Sequence, residues 1–577
     1  MSAFTSEPAT RLPSREELRP AREVMDPSDM GGARATRHSF IRTMIRRAAA
    51  NGWKIKRTHF DIDAAGCGTA VYRVRAEAQT FSFAIFSQNT GEHTDRVIAK
   101  AWDITAALVE GQVDDERLAR LQTQVPLQER GRAEPGSIIW TRANRSERFF
   151  EYVVDRLAHG QQPESAVFGG SPYVIRSTAF YSNGKCGLAD FEHFPASHPF
   201  AAPYRAHMLA AWLLREFSYD LVEGCAAQRS ADATVLSGEW RHYLGMGNAT
   251  GLGMVPYAIN HPEVLNAWAL LREMPLAAVT DRSVDPSDPS VARIVGLFER
   301  AISYLAEQDL GASHPFLPGP ELADRLRPLL ADLRHWGESG SFRGTATNRI
   351  WEALHDAADA SGAEERGIVA TILTELTGDL DEDIEALLRC DESRPLVPGM
   401  SCGELARMID TEYGWVAGHD FEDQRQNHYF WYSSADNEEP RRGRRGQDPG
   451  ENVQHGVDIA RAVSDVRRDL AVADADASVA EFLMAHPWHR QCTARVQNIG
   501  PLPYGEVHDN LRGAEFLPLN VQRYQLSVYG MENYTPQSTD WLRVTLLSGG
   551  PRIADLKDGS ISDDWLFTPR PAPEVQA

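Results

Sequence analysis

Hydrophobic and polar positions along this chain fall into three successive regimes. Between 37 and 51, Phe40, Ile41, Met44, Ile45 and Ala48 recur at helical spacing until Asn51-Gly52 ends the pattern, which predicts an amphipathic helix. The spacing then shifts toward alternation. Residues 53–61, 69–76 and 80–88 read as strands, with Tyr72 and Val74, then Phe81, Phe83 and Ile85, marking one face, and Glu77-Ala78-Gln79 forming the turn between the last two. A fourth strand over 97–105, a helix over 114–124, a strand over 138–141 and a helix over 145–158 complete the region. The pattern predicts an α+β fold, an antiparallel sheet with helices packed on it.

From about 199 to 395 the period is helical throughout. Amphipathic segments over 204–226, 255–274, 291–307, 322–336, 349–358 and 365–388, the last broken near Gly378, predict a helical middle domain. The final third is mixed. It holds a helix over 401–413, an aromatic strand over 428–432, a polar loop over 437–452, helices over 457–470 and 479–484, and strands over 522–529 and 541–547. The resulting division is a mobile tail over 1–35, an α+β domain over 36–195, a helical domain over 196–395 and a mixed α+β domain over 396–577.

Composition narrows the function classes. At 577 residues the chain exceeds what one core usually supports, and 42 % apolar with 24 % charged residues is ordinary for a folded protein. A net charge of -22 repels phosphate backbones and anionic lipid, and the dense basic run at Arg441, Arg442, Arg444 and Arg445 is flanked by Glu438, Glu439, Asp448 and Glu451. No nucleic-acid partner is expected. No apolar run approaches the roughly 18 residues of a membrane span, and the polar N-terminus lacks a signal-peptide core. Six cysteines without a CxxC pair suit reduced thiols and a cytoplasmic setting. A homodimer is compatible with the size but not demanded by it.

Four local sequences could carry chemistry. Within 243–254, Gly245, Gly247, Gly251 and Gly253 precede a helical pattern, so their backbone N–H groups could approach an anion, with Asn248 and Thr250 as caps or ligand contacts. The spacing matches no nucleotide-binding fingerprint, and tight packing is the competing reading. Arg176 in an apolar strand and Lys185 in a glycine-flanked turn could hold an anion, Lys185 also as a nucleophilic amine; a solvated turn is the alternative. His419-Asp420, the Glu438-Glu439 pair and Arg441 combine proton-exchanging groups with a carboxylate-pairing guanidinium, against the reading of an aromatic strand beside a solvated loop. His486, His489 and Cys492 follow an H-x2-H-x2-C spacing with His508 further on, a zinc-compatible set, but Pro487 and the lack of a CxxC favour packing and no metal ligand is assigned.

Together these features predict a cytoplasmic enzyme acting on a small anionic metabolite, carboxylate- or phosphate-bearing, by acid-base chemistry in an inter-domain pocket. In that scheme Arg176, Lys185 and the 245–253 glycines hold the anion while His419, Asp420, Glu438 and Glu439 move protons. A metal-assisted hydrolase or lyase and a non-catalytic binding or assembly protein are the alternatives. No cofactor or reaction class follows from the residues.

Overall fold

The computed structural model describes residues 34–88, 102–125, 136–170, 172–182, 197–248, 262–307, 319–387, 395–423, 456–499, 530–536, 542–556 and 564–572, with shorter stretches between 12 and 29 and single positions elsewhere. The fold is α+β, built on a mostly antiparallel sheet.

Helix α1 (Phe40–Ala50) buries Phe40, Ile41, Met44, Ile45 and Ala48 and stops at Asn51, before Gly52 turns left-handed. Three antiparallel strands follow, β1 (Lys54–Ile62), β2 (Gly68–Ala76) and β3 (Gln79–Ser87). Ala76 pairs with Gln79, so only Glu77 and Ala78 form the loop, and Glu77 takes φ +55 to suit the tight twist. Its carboxylate accepts from Arg47 (2.9 Å) and Asn51 (2.8 Å), tying the hairpin to the end of α1.

Strands β4 (Ile104–Glu110), β5 (Ser137–Arg145) and β6 (Tyr173–Ser182) extend the sheet. β4 begins where the strand expected over 97–105 would end; residues 89–101 lie outside the described set. Period-two alternation splits β3 between two cores. Phe81, Phe83 and Ile85 join the main core, while Ala84 and Phe86 join a smaller cluster with Val71, Val109 and Trp140, covered by Leu118 and Leu121 of α2 (Asp115–Gln124).

The main core lies between the sheet, α3 (Phe150–Ala158) and the long α4 (Arg205–Arg229). After α5 (Gly238–Tyr243), strand β7 (Gly245–Asn248) runs parallel to β6, and β9 (Leu542–Leu546) and β8 (Met531–Pro536) continue the sheet antiparallel, giving nine strands. The sheet therefore draws strands from all three parts of the sequence. Arg215, fully buried on α4, pins this arrangement by donating to the carbonyls of Leu244 (2.9 Å), Pro551 (2.8 Å), and Arg241, His242 and Gly550 (3.0 Å each).

The helical middle is as expected in kind. Helices α6 (Pro262–Thr280), α7 (Pro289–Ala306), α8 (Gly319–Ser339), α9 (Ile350–Ser361) and α10 (Ala363–Thr374) enclose a second core around Phe298, Leu333, Trp336 and Trp351, into which Leu566 and Phe567 reach from the end of the chain. The break near Gly378 is a 3₁₀ turn, Gly378–Leu380, before α11 (Asp381–Ala386). Further on, α12 (Cys402–Glu412) and α14 (Val479–Ala485) each begin with a serine capping box, and α13 (Gly456–Leu470) and α15 (Arg490–Gln497) pack beside them on the main core. Residues 17–26, within the stretch read as a tail, pack instead on the body. Val24 and Met25 are fully buried and Arg19 pairs with buried Glu273 at 2.8 Å, contacts too few to register as periodicity. The strands expected over 428–432 and 522–529 and the loop over 437–452 lie outside the described residues. No described helix is long and apolar enough to cross a membrane.

Candidate functional site

A cleft of about 770 Å³ opens where the C-terminal end of α1, the turn leading into α4 and the segment containing α11 meet. That volume suits a small metabolite. Each wall follows from local sequence. α1 turns its apolar stripe inward, which leaves Arg46, Arg47 and Asn51 on the cleft side. The acidic run 379–385 has only Leu380 and Ile384 to bury, so Asp381 and Glu385 remain at the rim. The third wall begins with Tyr204, whose left-handed backbone (φ +57) is held by full burial and by packing on Phe40 at 5.1 Å. Such a conformation is costly outside glycine and persists only where the surroundings enforce it. It directs Arg205, the first residue of α4, to the cleft.

The charges on the walls differ in how completely they are matched. Arg37 grips Asp381 with two bonds, 3.0 and 2.5 Å, and Arg46 stands 3.4 Å from the same carboxylate. Behind them, fully buried Arg42 holds Glu375 bidentately at 2.5 and 3.0 Å. His38 is fully buried beside these guanidiniums, and burial together with Arg46, Arg37 and Arg42 drives its pKa far down, so it stays neutral and hydrogen-bonds Thr377 Oγ1 at 2.9 Å. Arg205 stands apart. Only 6 % exposed, it donates Nη1 to the Pro199 carbonyl at 3.1 Å, and among the described residues no carboxylate lies within ion-pair distance of it. Burial lowers its pKa to about 10, which leaves it a cation at neutral pH. Glu385 is the complementary group. Burial raises its pKa, against the pull of Arg205, Arg46 and Arg47.

A second hollow of about 620 Å³ lies between α7 and α8, but its arginines are already engaged, Arg334 with Glu299 and Arg327 with Asp324. The first cleft is the better candidate because its buried Arg205 has no carboxylate within ion-pair distance among the described residues.

The residues singled out from sequence are distributed differently. Arg176 is half-buried on β6, in register with Gly247, and Ser177 pairs with Asn248, so Arg176 and the first part of the glycine segment are adjacent. That first part is a strand and not a loop. Gly245 to Asn248 form a buried strand, and the Gly245 N–H is spent on the Pro172 carbonyl at 2.7 Å. Its glycines serve close approach: a Cβ on Gly245 would lie 2.4 Å from the Leu546 carbonyl oxygen, and one on Gly247 would meet the Tyr173 ring at 2.7 Å. His419 is buried against Phe421 and Trp415, ring centroids 4.6 and 5.9 Å away, and exposed Asp420 accepts from the Glu422 N–H at 2.9 Å in a local turn. Neither lines the cleft. Lys185, Thr250, Gly251, Gly253, Glu438, Glu439, Arg441 and His508 lie outside the described residues. His486 and His489 come together with Asp469, and Cys492 is not in that group.

Sequence reasoning missed Arg46, Arg47, Arg205 and Glu385. One signal was present: an arginine opening a 25-residue helix opposes the helix dipole, which favours acidic residues at that end. No family model, curated protein or solved structure matches this chain.

Proposed function

We propose that this protein is an enzyme that seats a small carboxylate- or phosphate-bearing metabolite in the cleft, its anionic group on Arg205 and the N-terminal end of α4, with Glu385 as the group that exchanges a proton with it. The observation that carries the reading is Arg205, a buried cation without a carboxylate partner among the described residues, on the wall of an open cleft. Burying a charge is unfavourable unless something offsets it, and an anionic ligand supplies what the fold leaves out. Glu385 suits acid-base work because burial raises its pKa above the ordinary carboxylate value in a wall that also holds Arg205, Arg46 and Arg47. The acidic rim favours a ligand that also bears a cationic or hydrogen-bond-donating group. The same reading sets the protein in the cytoplasm, supported by Cys67, Cys225, Cys402 and Cys492 as free thiols.

The test is a thermal-shift screen against small carboxylates and phosphate esters at constant ionic strength, followed by calorimetry of any hit on Arg205→Gln. The expected result is a hit whose affinity falls by about tenfold or more in the variant, the worth of one charge-assisted contact. A panel without a hit, or a hit indifferent to Arg205→Gln, sinks the reading.

A further inference from the structure

A second constellation stands on the C-terminal helices. α14 ends at Ala485, and Pro487 locks the following residues into one 3₁₀ turn, Pro487–His489. In a 3₁₀ turn, side chains three positions apart eclipse each other, so His486 and His489 share a side, their rings nearly parallel with centroids 5.8 Å apart. The last turn of α13 brings Asp469 to the same place. Its Oδ2 lies 2.7 Å from His489 Nε2 and 3.5 Å from His486 Nδ1, and the three atoms fall within 4.8 Å of one another.

His489 Nε2 is engaged by Asp469 at 2.7 Å and by the Trp488 indole N–H at 3.2 Å, which accounts for one imidazole only. His486 Nδ1 is buried and has no hydrogen-bond partner, although its ring is held in place against Phe482 at 4.8 Å and Trp488 at 5.3 Å. An imidazole nitrogen held 3.5 Å from a carboxylate oxygen and beside a second imidazole, without a hydrogen bond, is placed as a metal ligand would be. Around zinc, ligand atoms about 2.0–2.1 Å from the metal sit roughly 3.3 Å from each other in a tetrahedron, so binding opens the 2.7 Å Asp469–His489 contact and draws the two imidazoles, whose ligand atoms lie within 4.8 Å, toward that spacing. Arg468 stands 3.6 Å from Asp469 Oδ1, which leaves Oδ2 as the ligating atom.

We infer that Asp469, His486 and His489 form a binding site for a divalent first-row transition ion of the zinc class. Two imidazoles and one carboxylate suit such an ion and not calcium or magnesium, which take oxygen sets. His489 is 5 % exposed but His486 and Asp469 are 28 % and 23 % exposed, so the site is anchored on one side and open to water on the other. Three protein ligands with an open position is the arrangement in which zinc can hold water or a substrate oxygen. Cys492 stays outside the set, so the ligand that sequence spacing suggested is replaced by an aspartate from the preceding helix.

The test uses the full-length protein, stripped with a chelator and titrated with zinc by calorimetry, with melting temperature followed in parallel. A single zinc per chain is expected, with a rise in melting temperature on binding. His486→Ala is expected to weaken zinc by at least about tenfold and to lose the zinc-induced rise in melting temperature, while the metal-free variant stays folded because the Asp469–His489 contact remains. Asp469→Asn is expected to lose zinc as well, and Cys492→Ser to retain it. The assignment fails if no saturable zinc binding occurs, if His486→Ala binds zinc as the parent does, or if Cys492→Ser abolishes binding.

Discussion

Glu385 shows how a single side chain records the character of the cleft. Burial raises its pKa above the ordinary 4.5, and the arginines around it do not cancel that effect. The folded state therefore keeps the proton to higher pH than the unfolded state does. Between the unfolded and folded values the native protein binds more protons, so stability falls as pH rises through that window, and the full penalty persists above it. Glu385→Gln has no such penalty. The expected result of urea unfolding across pH 4 to 8 is a variant that matches the parent at the acid end and becomes progressively more stable than it toward neutrality. Parallel curves would show that the carboxyl is not strained by its setting. This residue and Arg205 were hidden in the sequence because charges on helices normally read as a solvated face, and only the meeting of α1, α4 and α11, remote from one another in the chain, makes them a site.

At the scale of elements, legibility followed local periodicity. α1, β2, β3 and α13 advertise their buried faces, and the expected bounds differ from the observed ones by only a few residues. β7 does not. Gly-Met-Gly-Asn has no β-branched residue and just four positions, so it resembles a loop, and its pairing with β9 joins residues some 300 apart that no local pattern can foresee. Gly247 is required because the ring of Tyr173, itself buried against Phe149, lies on the strand there, and Gly245 because the Leu546 carbonyl oxygen occupies the place of a Cβ. Gly247→Ala places a Cβ 2.7 Å from that ring and is expected to destabilise by roughly 1–3 kcal/mol, as overpacking does, whereas Gly238→Ala, with nothing within 4 Å, should be neutral or mildly stabilising. Chemical denaturation of the pair decides it. Equal stability would return the segment to the role of a permissive loop.

At the scale of the whole molecule, two large cores must hold together, and a buried ion pair lies among the contacts between them. α1 belongs to the sheet core and α10 runs through the helical core, and they meet at Arg42 and Glu375, 0 % and 3 % exposed. A buried pair contributes little net stability compared with a well-packed apolar pair, yet removal of one partner strands the other charge. Arg42→Met leaves Glu375 with Arg37 at 3.7 Å, and Glu375→Leu removes the carboxylate that both Nη atoms of Arg42 engage. Each single loss is expected to cost up to roughly 3–5 kcal/mol, with the double variant recovering much of it. Urea unfolding of the four proteins in the cycle measures this directly. Additive losses would mean that apolar packing alone, including Leu566 and Phe567 inserted into the helical core, joins the halves. A strong coupling would mean that the arginines of α1 serve two ends at once, fastening the helical unit through Glu375 and Asp381 and forming the cationic wall of the cleft.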